Sequence, residues 1–237
     1  MNLEELQANW NELGATDPLW AILSVPEYKG NRWDVEEFFR SGQTAIADIL
    51  GRFGDQLGLP EHHRCALDFG CGVGRLTQAL TEHFDHVDGV DIAPSMIERA
   101  RLANRADERC TYHLNERDDL TIFADAHFDF VLSEIVLQHM RSEFALRYIR
   151  EFVRVLGPGG LLVFQVPYES VIPVSPPERW DPSAGPRIDM FATPVADVVA
   201  AIGEAGGRLL RVEETEISGP DWRSYRYAVT RPADVKS

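Results

Sequence analysis

The sequence predicts an α/β fold with a mostly parallel sheet and helices on both faces, and three observations predict it. From residue 64 to 166, short apolar runs alternate with stretches of helical periodicity, the pattern of repeated strand–helix–strand units. The first apolar run ends in Gly70-Cys71-Gly72-Val73-Gly74, a loop suited to the turn from a strand into a helix whose N-terminus binds a ligand. The chain closes on two strand-like runs joined by the short turn Ser218-Gly219-Pro220-Asp221, which makes that last pair antiparallel.

Each element has a local reason. In residues 1–60, Val35, Phe38, Gly42, Ile46, Ile49, Phe53 and Leu57 recur at three- and four-residue spacing and mark one face of a helix. With Trp10, Trp20, Trp33, Phe38 and Phe39, this region reads as an N-terminal helical lid, with Trp33 a candidate substrate contact. Residues 61–237 read as the main domain. Its first strand is Cys65–Phe69, followed by a helix with Leu76, Ala79, Leu80 and Phe84 on one face. A second strand, Val87–Val90, ends at Asp91, and Pro94 opens a helix through about Asn104. Strands follow at Cys110–Leu114 and Phe128–Leu132. A helix from Ser142 to Leu156 stops at Gly157-Pro158-Gly159-Gly160, before a fifth strand at Leu161–Val166. Residues 167–192 hold six of the 14 prolines, with Tyr168 and Trp180. They read as an irregular insertion at the carboxyl end of a strand, where open α/β sheets bind ligands. A helix then starts at Thr193-Pro194, and the closing strands lie near Arg208–Ile217 and Trp222–Thr230.

Composition narrows the function. A length of 237 residues suits one α/β domain with a small appendage. The net charge of -15 argues against a protein that grips nucleic acid. Three cysteines without a Cys-x-x-Cys spacing argue against a disulfide framework or structural zinc. The N-terminus lacks a secretory pattern, and no run of 18 apolar residues appears. The expectation is a cytoplasmic protein with a small-molecule substrate, no membrane or nucleic-acid partner and no metal.

The glycine loop raises the question of its ligand. The spacing Gly70-x-Gly72-x-Gly74, followed by Arg75, departs from the Gly-x-Gly-x-x-Gly of dinucleotide sites. Asp68 stands two residues before the first glycine. A carboxylate there repels a pyrophosphate and attracts the ammonium of S-adenosylmethionine (SAM). Asp91, at the end of the second strand, suits a pair of ribose hydroxyls in either kind of site.

The segments ALDFGCGVGRLTQAL, VDGVDIAPSMIERAR, FDFVLSEIVLQHM and VRVLGPGGLLVFQVP resemble the successive motifs of class I SAM-dependent methyltransferases, in particular the bacterial small-molecule type. The resemblance covers about residues 60–230. It implies a Rossmann-like seven-stranded sheet of order 3-2-1-4-5-7-6 with strand seven antiparallel. It implies SAM as cofactor and S-adenosylhomocysteine (SAH) as product. The implied cofactor set is Asp68, Gly70, Gly72 and Gly74 at the methionine end, Arg75 directly after the loop, Asp91 at the ribose, and Ile92 and Met96 beside the adenine. Asn115 or Glu116 stands where the family often has an acidic residue facing the adenine amino group, and Ser133 and Glu134 lie close to the sulfonium.

Methyl transfer from SAM requires alignment and exclusion of water, and a base only where the acceptor must lose a proton early. His139 is the candidate base and Glu134 a second candidate catalytic group. Tyr168, Arg187 and Asp189 are candidate substrate contacts. His62 and His63 lack a third metal ligand. The expected reaction is displacement by an oxygen, nitrogen or carbon nucleophile of a small metabolite. The competing readings are a nicotinamide-dependent oxidoreductase and a non-catalytic SAM-binding protein.

Overall fold

A computed structural model describes residues 2–173 and 181–233; Trp180 and part of the proline-rich insertion lie outside the described residues. Helices α1 (Leu3–Thr16), α2 (Pro18–Ile22) and α3 (Val35–Ile49) precede the sheet, with a six-residue π-helical extension, Leu50–Asp55, after α3. The sheet then alternates with helices: β1 (Cys65–Phe69), α4 (Arg75–Leu80), β2 (His86–Asp91), α5 (Pro94–Ala103), β3 (Cys110–Leu114), β4 (Phe128–Ser133), α6 (Ser142–Val155), β5 (Leu156–Ser170), α7 (Val195–Glu204), β6 (Arg208–Thr215) and β7 (Trp222–Thr230).

The seven strands lie in the order β3-β2-β1-β4-β5-β7-β6. All pairs through β5 are parallel, and β7 runs antiparallel to both β5 and β6. This is the architecture expected from the sequence. Most boundaries fall within two residues of those expected, and that of β5 differs by more. The Gly157-Pro158-Gly159-Gly160 stretch ends α6 as expected, yet it already belongs to β5, because Leu156 pairs with Phe128 before a register shift brings Leu161 opposite Phe130.

Alternation along the strands divides the core. Leu67, Val131, Leu162 and Phe164 face α6 and α7, packing with Ile149, Phe152 and Val198. Ala66, Phe130, Leu132, Leu161 and Val163 face the other way, onto Ile46, Ile49 and Phe53 of the N-terminal region and Leu76 and Leu80 of α4. The apolar face read on α3 is this contact surface, except that Val35 at its start is 47% exposed.

Two glycines let the N-terminal helices reach the domain. A Cβ at Gly42 of α3 would stand 2.4 Å from the Arg75 carbonyl oxygen of α4. At Gly14 of α1 it would stand 2.4 Å from Ser95 Oγ and 3.0 Å from Met96 of α5. Both contacts fall beside the loops that follow β1 and β2. In Gly42→Ala, helix propensity favours alanine by about 1 kcal/mol, but the backbone oxygen cannot give way and overpacking costs about 1–3 kcal/mol. We expect a net loss of stability, read as a lower urea midpoint with an unchanged slope.

Candidate functional site

A cavity of about 890 Å³, counting its open mouth, lies at the carboxyl ends of β1, β2 and β4. Its floor is the glycine loop. Gly70 and Cys71 both donate their N–H to the Val90 carbonyl, at 2.8 and 2.9 Å. Gly72 N–H donates to Asp91 Oδ2 at 2.9 Å, and Ala93 N–H to Asp91 Oδ1 at 2.9 Å. Gly70, Gly72 and Gly74 all have positive φ. At Gly70 a Cβ would stand 2.2 Å from the Val136 side chain, so only glycine lets the loop after β4 approach so closely.

Three charged side chains gather around this floor. Asp68 is buried and accepts the Thr77 hydroxyl at 2.6 Å. Burial pushes its pKa up to about 6, against the opposing pull of Thr77 and Arg75. Arg75 is buried too; its Nη1 meets Ser41 Oγ at 3.3 Å, while its Nε has no hydrogen-bond partner. Glu134, at the end of β4, is held by Arg226 of β7 through contacts of 2.9, 3.2 and 2.9 Å. Burial raises the Glu134 pKa, and Arg226 works against that rise. A buried unpaired carboxylate is costly, so Arg226 keeps Glu134 charged and in place.

His139 also lines the cavity, in the loop between β4 and α6. Its Nδ1 is 2.8 Å from the Asp189 carbonyl, which can only accept, so Nδ1 carries the proton. Its Nε2 then accepts from Gln138 Nε2 at 3.1 Å. Burial pulls its pKa down to about 4. Both ring nitrogens are engaged, and the ring is a weak base.

The cavity takes in Asp68, Gly70, Gly72, Arg75, Asp91, Ile92, Met96, Asn115, Glu134 and His139 of the residues singled out from the sequence. Asn115 faces it, with Nδ2 donating to the Asp119 carbonyl at 2.7 Å; Glu116 turns instead to Gln7 of α1. Gly74 caps α4 just beyond the lining, and Ser133 is fully buried in β4 with its hydroxyl unpartnered. The four proposed substrate contacts lie elsewhere. Trp33 packs on Tyr28 and Phe38 with its N–H on the Leu23 carbonyl. Tyr168 stacks on Tyr225 near Glu214. Arg187 pairs with Asp189 at 2.9 Å, and neither side chain reaches the cavity lining.

Other walls come from Trp10, named among the aromatics of the N-terminal lid, and from residues the sequence reading did not single out. Leu3, Leu6 and Trp10 of α1, Ala21 and Ile22 of α2, and Met140 and Tyr148 complete the enclosure. Leu3, Leu6 and Trp10 stand at helical spacing, a signal that gives a face without saying what the face covers. Among the described residues no cluster of His, Cys, Asp and Glu could hold a metal, and no helix is long and apolar enough to cross a membrane.

A methyltransferase-domain family model matches residues 67–164. The 2-methyl-6-phytyl-1,4-hydroquinone methyltransferase of Synechocystis is 27% identical over 226 residues, covering 90% of this chain and 68% of that protein. The ubiquinone biosynthesis O-methyltransferase of Xylella fastidiosa is 33% identical over 97 residues, 40% of this chain and 39% of its own length. Among solved structures, magnesium protoporphyrin IX methyltransferase from Synechocystis with bound SAH superposes with a TM-score of 0.67 at 18% identity, covering 98% of this chain and all of that one.

Two groups in the cavity oppose each other in their effect on stability. His139 has a folded pKa of about 4, below its ordinary 6.5. Its contribution is present above pH 6.5 and is lost as pH falls toward 4. Asp68 has a folded pKa of about 6, above its ordinary 3.8. Its contribution is greatest below pH 3.8 and is lost as pH rises through 6. Each slope is up to about 1.4 kcal/mol per pH unit. From pH 6 to 4, His139→Asn should therefore gain about 2 kcal/mol relative to the parent, and Asp68→Asn should lose a similar amount. Urea unfolding across that range checks both signs.

Proposed function

We propose that this chain, which belongs to the class I SAM-dependent methyltransferases, methylates a small metabolite with an apolar, ring-bearing body. The observation that carries the reading is the wall facing the glycine loop: Leu3, Leu6, Trp10, Val136 and Met140 offer an apolar surface with one aromatic face. The named substrates of the relatives point the same way: a phytyl-bearing hydroquinone and magnesium protoporphyrin IX. In this reading residues 1–60 serve as the lid.

The residues present fit SAM. A zwitterion needs a buried anion and a buried cation side by side, and Asp68 and the unpartnered Arg75 Nε supply them. Each Asp91 oxygen accepts one backbone N–H and keeps a lone pair for a ribose hydroxyl. Asn115, rather than Glu116, faces the cavity and keeps its carbonyl oxygen for the adenine amino group. Ile92 and Met96 flank that position from the loop after β2 and from α5.

When bound, SAM supplies an electrophilic methyl group on a sulfonium sulfur. The chain's own residues hold and orient. The glycine loop, Asp68 and Arg75 fix the methionine end, and the α1 and α2 side chains exclude water. Glu134, locked by Arg226, presents a fixed negative charge near the reacting centre. Base catalysis by His139 would require its bond from Gln138 to open, and a pKa of about 4 makes the ring a poor proton acceptor at neutral pH. His139 therefore acts by position, and the acceptor is an oxygen, nitrogen or carbon atom already nucleophilic at neutral pH.

Purified protein incubated with methyl-labelled SAM and cell extract should move label into the small-molecule fraction that partitions into organic solvent. Label in protein or RNA would overturn the substrate class. Asp68→Asn removes a charge-assisted contact worth about 1.5–3 kcal/mol. It should weaken SAM binding about 10- to 100-fold, as read by calorimetry.

A further inference from the structure

We infer that helix α1 couples the two halves of the cavity, and that Asn9 is the positioning residue that transmits filling of the cofactor half to the acceptor wall. The inference rests on reading the cavity as a joint cofactor and acceptor site.

On the adenosine side, α1 is tied to the loops after β2 and β3. Gln7 Nε2 donates to the Ile92 carbonyl at 3.3 Å and to Glu116 Oε1 at 2.5 Å. Asn11 meets Ser95 twice: its Oδ1 accepts the Ser95 N–H at 2.9 Å, and its carbonyl accepts the Ser95 hydroxyl at 2.7 Å. On the other side, the same helix holds the segment that returns from the insertion. Asn9 is fully buried. Its Oδ1 accepts the Arg187 N–H at 2.9 Å and its Nδ2 donates to the Arg187 carbonyl at 2.8 Å. The amide thus satisfies both backbone groups of one residue. An apolar side chain would fill the same interior without a desolvation cost, so the amide is there for the backbone it grips.

The segment so gripped runs along the loop between β4 and α6. Asp189 accepts from His139 Nδ1, Phe191 N–H donates to the Gln138 carbonyl at 2.7 Å, and the Ala192 carbonyl accepts from Ser142 Oγ at 2.8 Å. The Trp10 ring, one residue past Asn9, lies 5.0 Å from the His139 ring. Gln7, Asn9 and Trp10 fall within a single turn of a continuous 14-residue helix. A rigid helix that settles on a filled adenosine site carries Asn9 and Trp10 with it, and so orders residues 187–193 and His139. Linkage makes the effect reciprocal: the acceptor binds more tightly to the cofactor-loaded protein, and an acceptor tightens the cofactor.

Hydrogen exchange on the full chain, with and without saturating SAH, tests this. The Phe191 and Thr193 amides bond to Gln138 and Pro167 and do not touch Asn9, so their response reports transmission. In the parent protein, SAH should slow exchange in α1 and, by about fivefold or more, at Phe191 and Thr193. In Asn9→Ala the response in α1 should persist while that at Phe191 and Thr193 disappears. A merely structural Asn9 would speed exchange at both amides by the same factor with and without SAH; an unchanged SAH response there overturns the inference. Should Asn9→Ala fail to fold, Gln7→Ala, at a half-buried position, decides. Joint weakening of both responses supports the coupling, and an intact response at Phe191 with a lost response in α1 refutes it. Calorimetry separates the underlying reading: no SAH binding by the parent protein removes the joint site and this inference with it.

Discussion

The site depends on how the loop after β1 is bound to the end of β2. Gly70, Cys71 and Gly72 each give a backbone N–H to Val90 or Asp91. Three hydrogen bonds from consecutive residues turn two loops into one rigid floor. The arrangement requires positive φ at Gly70 and Gly72. It also requires a carboxylate at position 91, which accepts the Gly72 and Ala93 N–H groups while lining the cavity. The charged groups inherit their positions from that floor: Asp68 stands at its edge on β1 and Arg75 opens the helix that leaves it. With the floor fixed, electrostatics can be arranged before any ligand arrives, which is how preorganised sites avoid reorganisation during reaction.

Much of the sheet was legible in the sequence because its determinants are local. β1, β3 and β7 have the ends that the apolar runs and flanking turns suggested. The strand order came from the motif series, and the sheet has it. β5 is longer than the Leu161–Val166 run, because Gly157–Gly160 was read as a terminator alone and strand pairing through Leu156 is a tertiary matter. The site divides in the same way. Asp68, the glycine loop and Asp91 sit on strand ends, where a short window of sequence fixes position. Leu3, Leu6, Trp10 and Ile22 reach the cavity only through helix docking. Trp33, chosen for its aromatic character, went into the packing of the N-terminal helices instead. Tyr168, Arg187 and Asp189 were chosen for lying in the insertion, yet the return segment acts through its backbone: the Arg187 carbonyl accepts from Asn9 and the Asp189 carbonyl from His139.

The acidic surface and the interior tell different electrostatic stories. Of the net charge of -15, little is expressed at the cavity, where Arg75 and Arg226 stand against Asp68, Asp91 and Glu134. Surface charge is screened within about 10 Å in ordinary salt, whereas these buried groups interact at low dielectric. The field inside the cavity is set by a few enclosed charges rather than by the overall composition.

Helix α1 is anchored at its far end, where Gly14 meets Ser95 and Met96, while its cavity face begins at Leu3. Between those ends the ties of Gln7, Asn9 and Asn11 interleave with the cavity-lining Leu3, Leu6 and Trp10, so attachment and lining share the same turns. Leu6 and Trp10 also pack into the core, whereas Leu3 lies at the helix's start, so under the proposed function position 3 is where the lining can change at least cost to how the helix is held. A helix that is both wall and strut ties diversification to stability: a library along it would have to be screened for folding before it is screened for new acceptors.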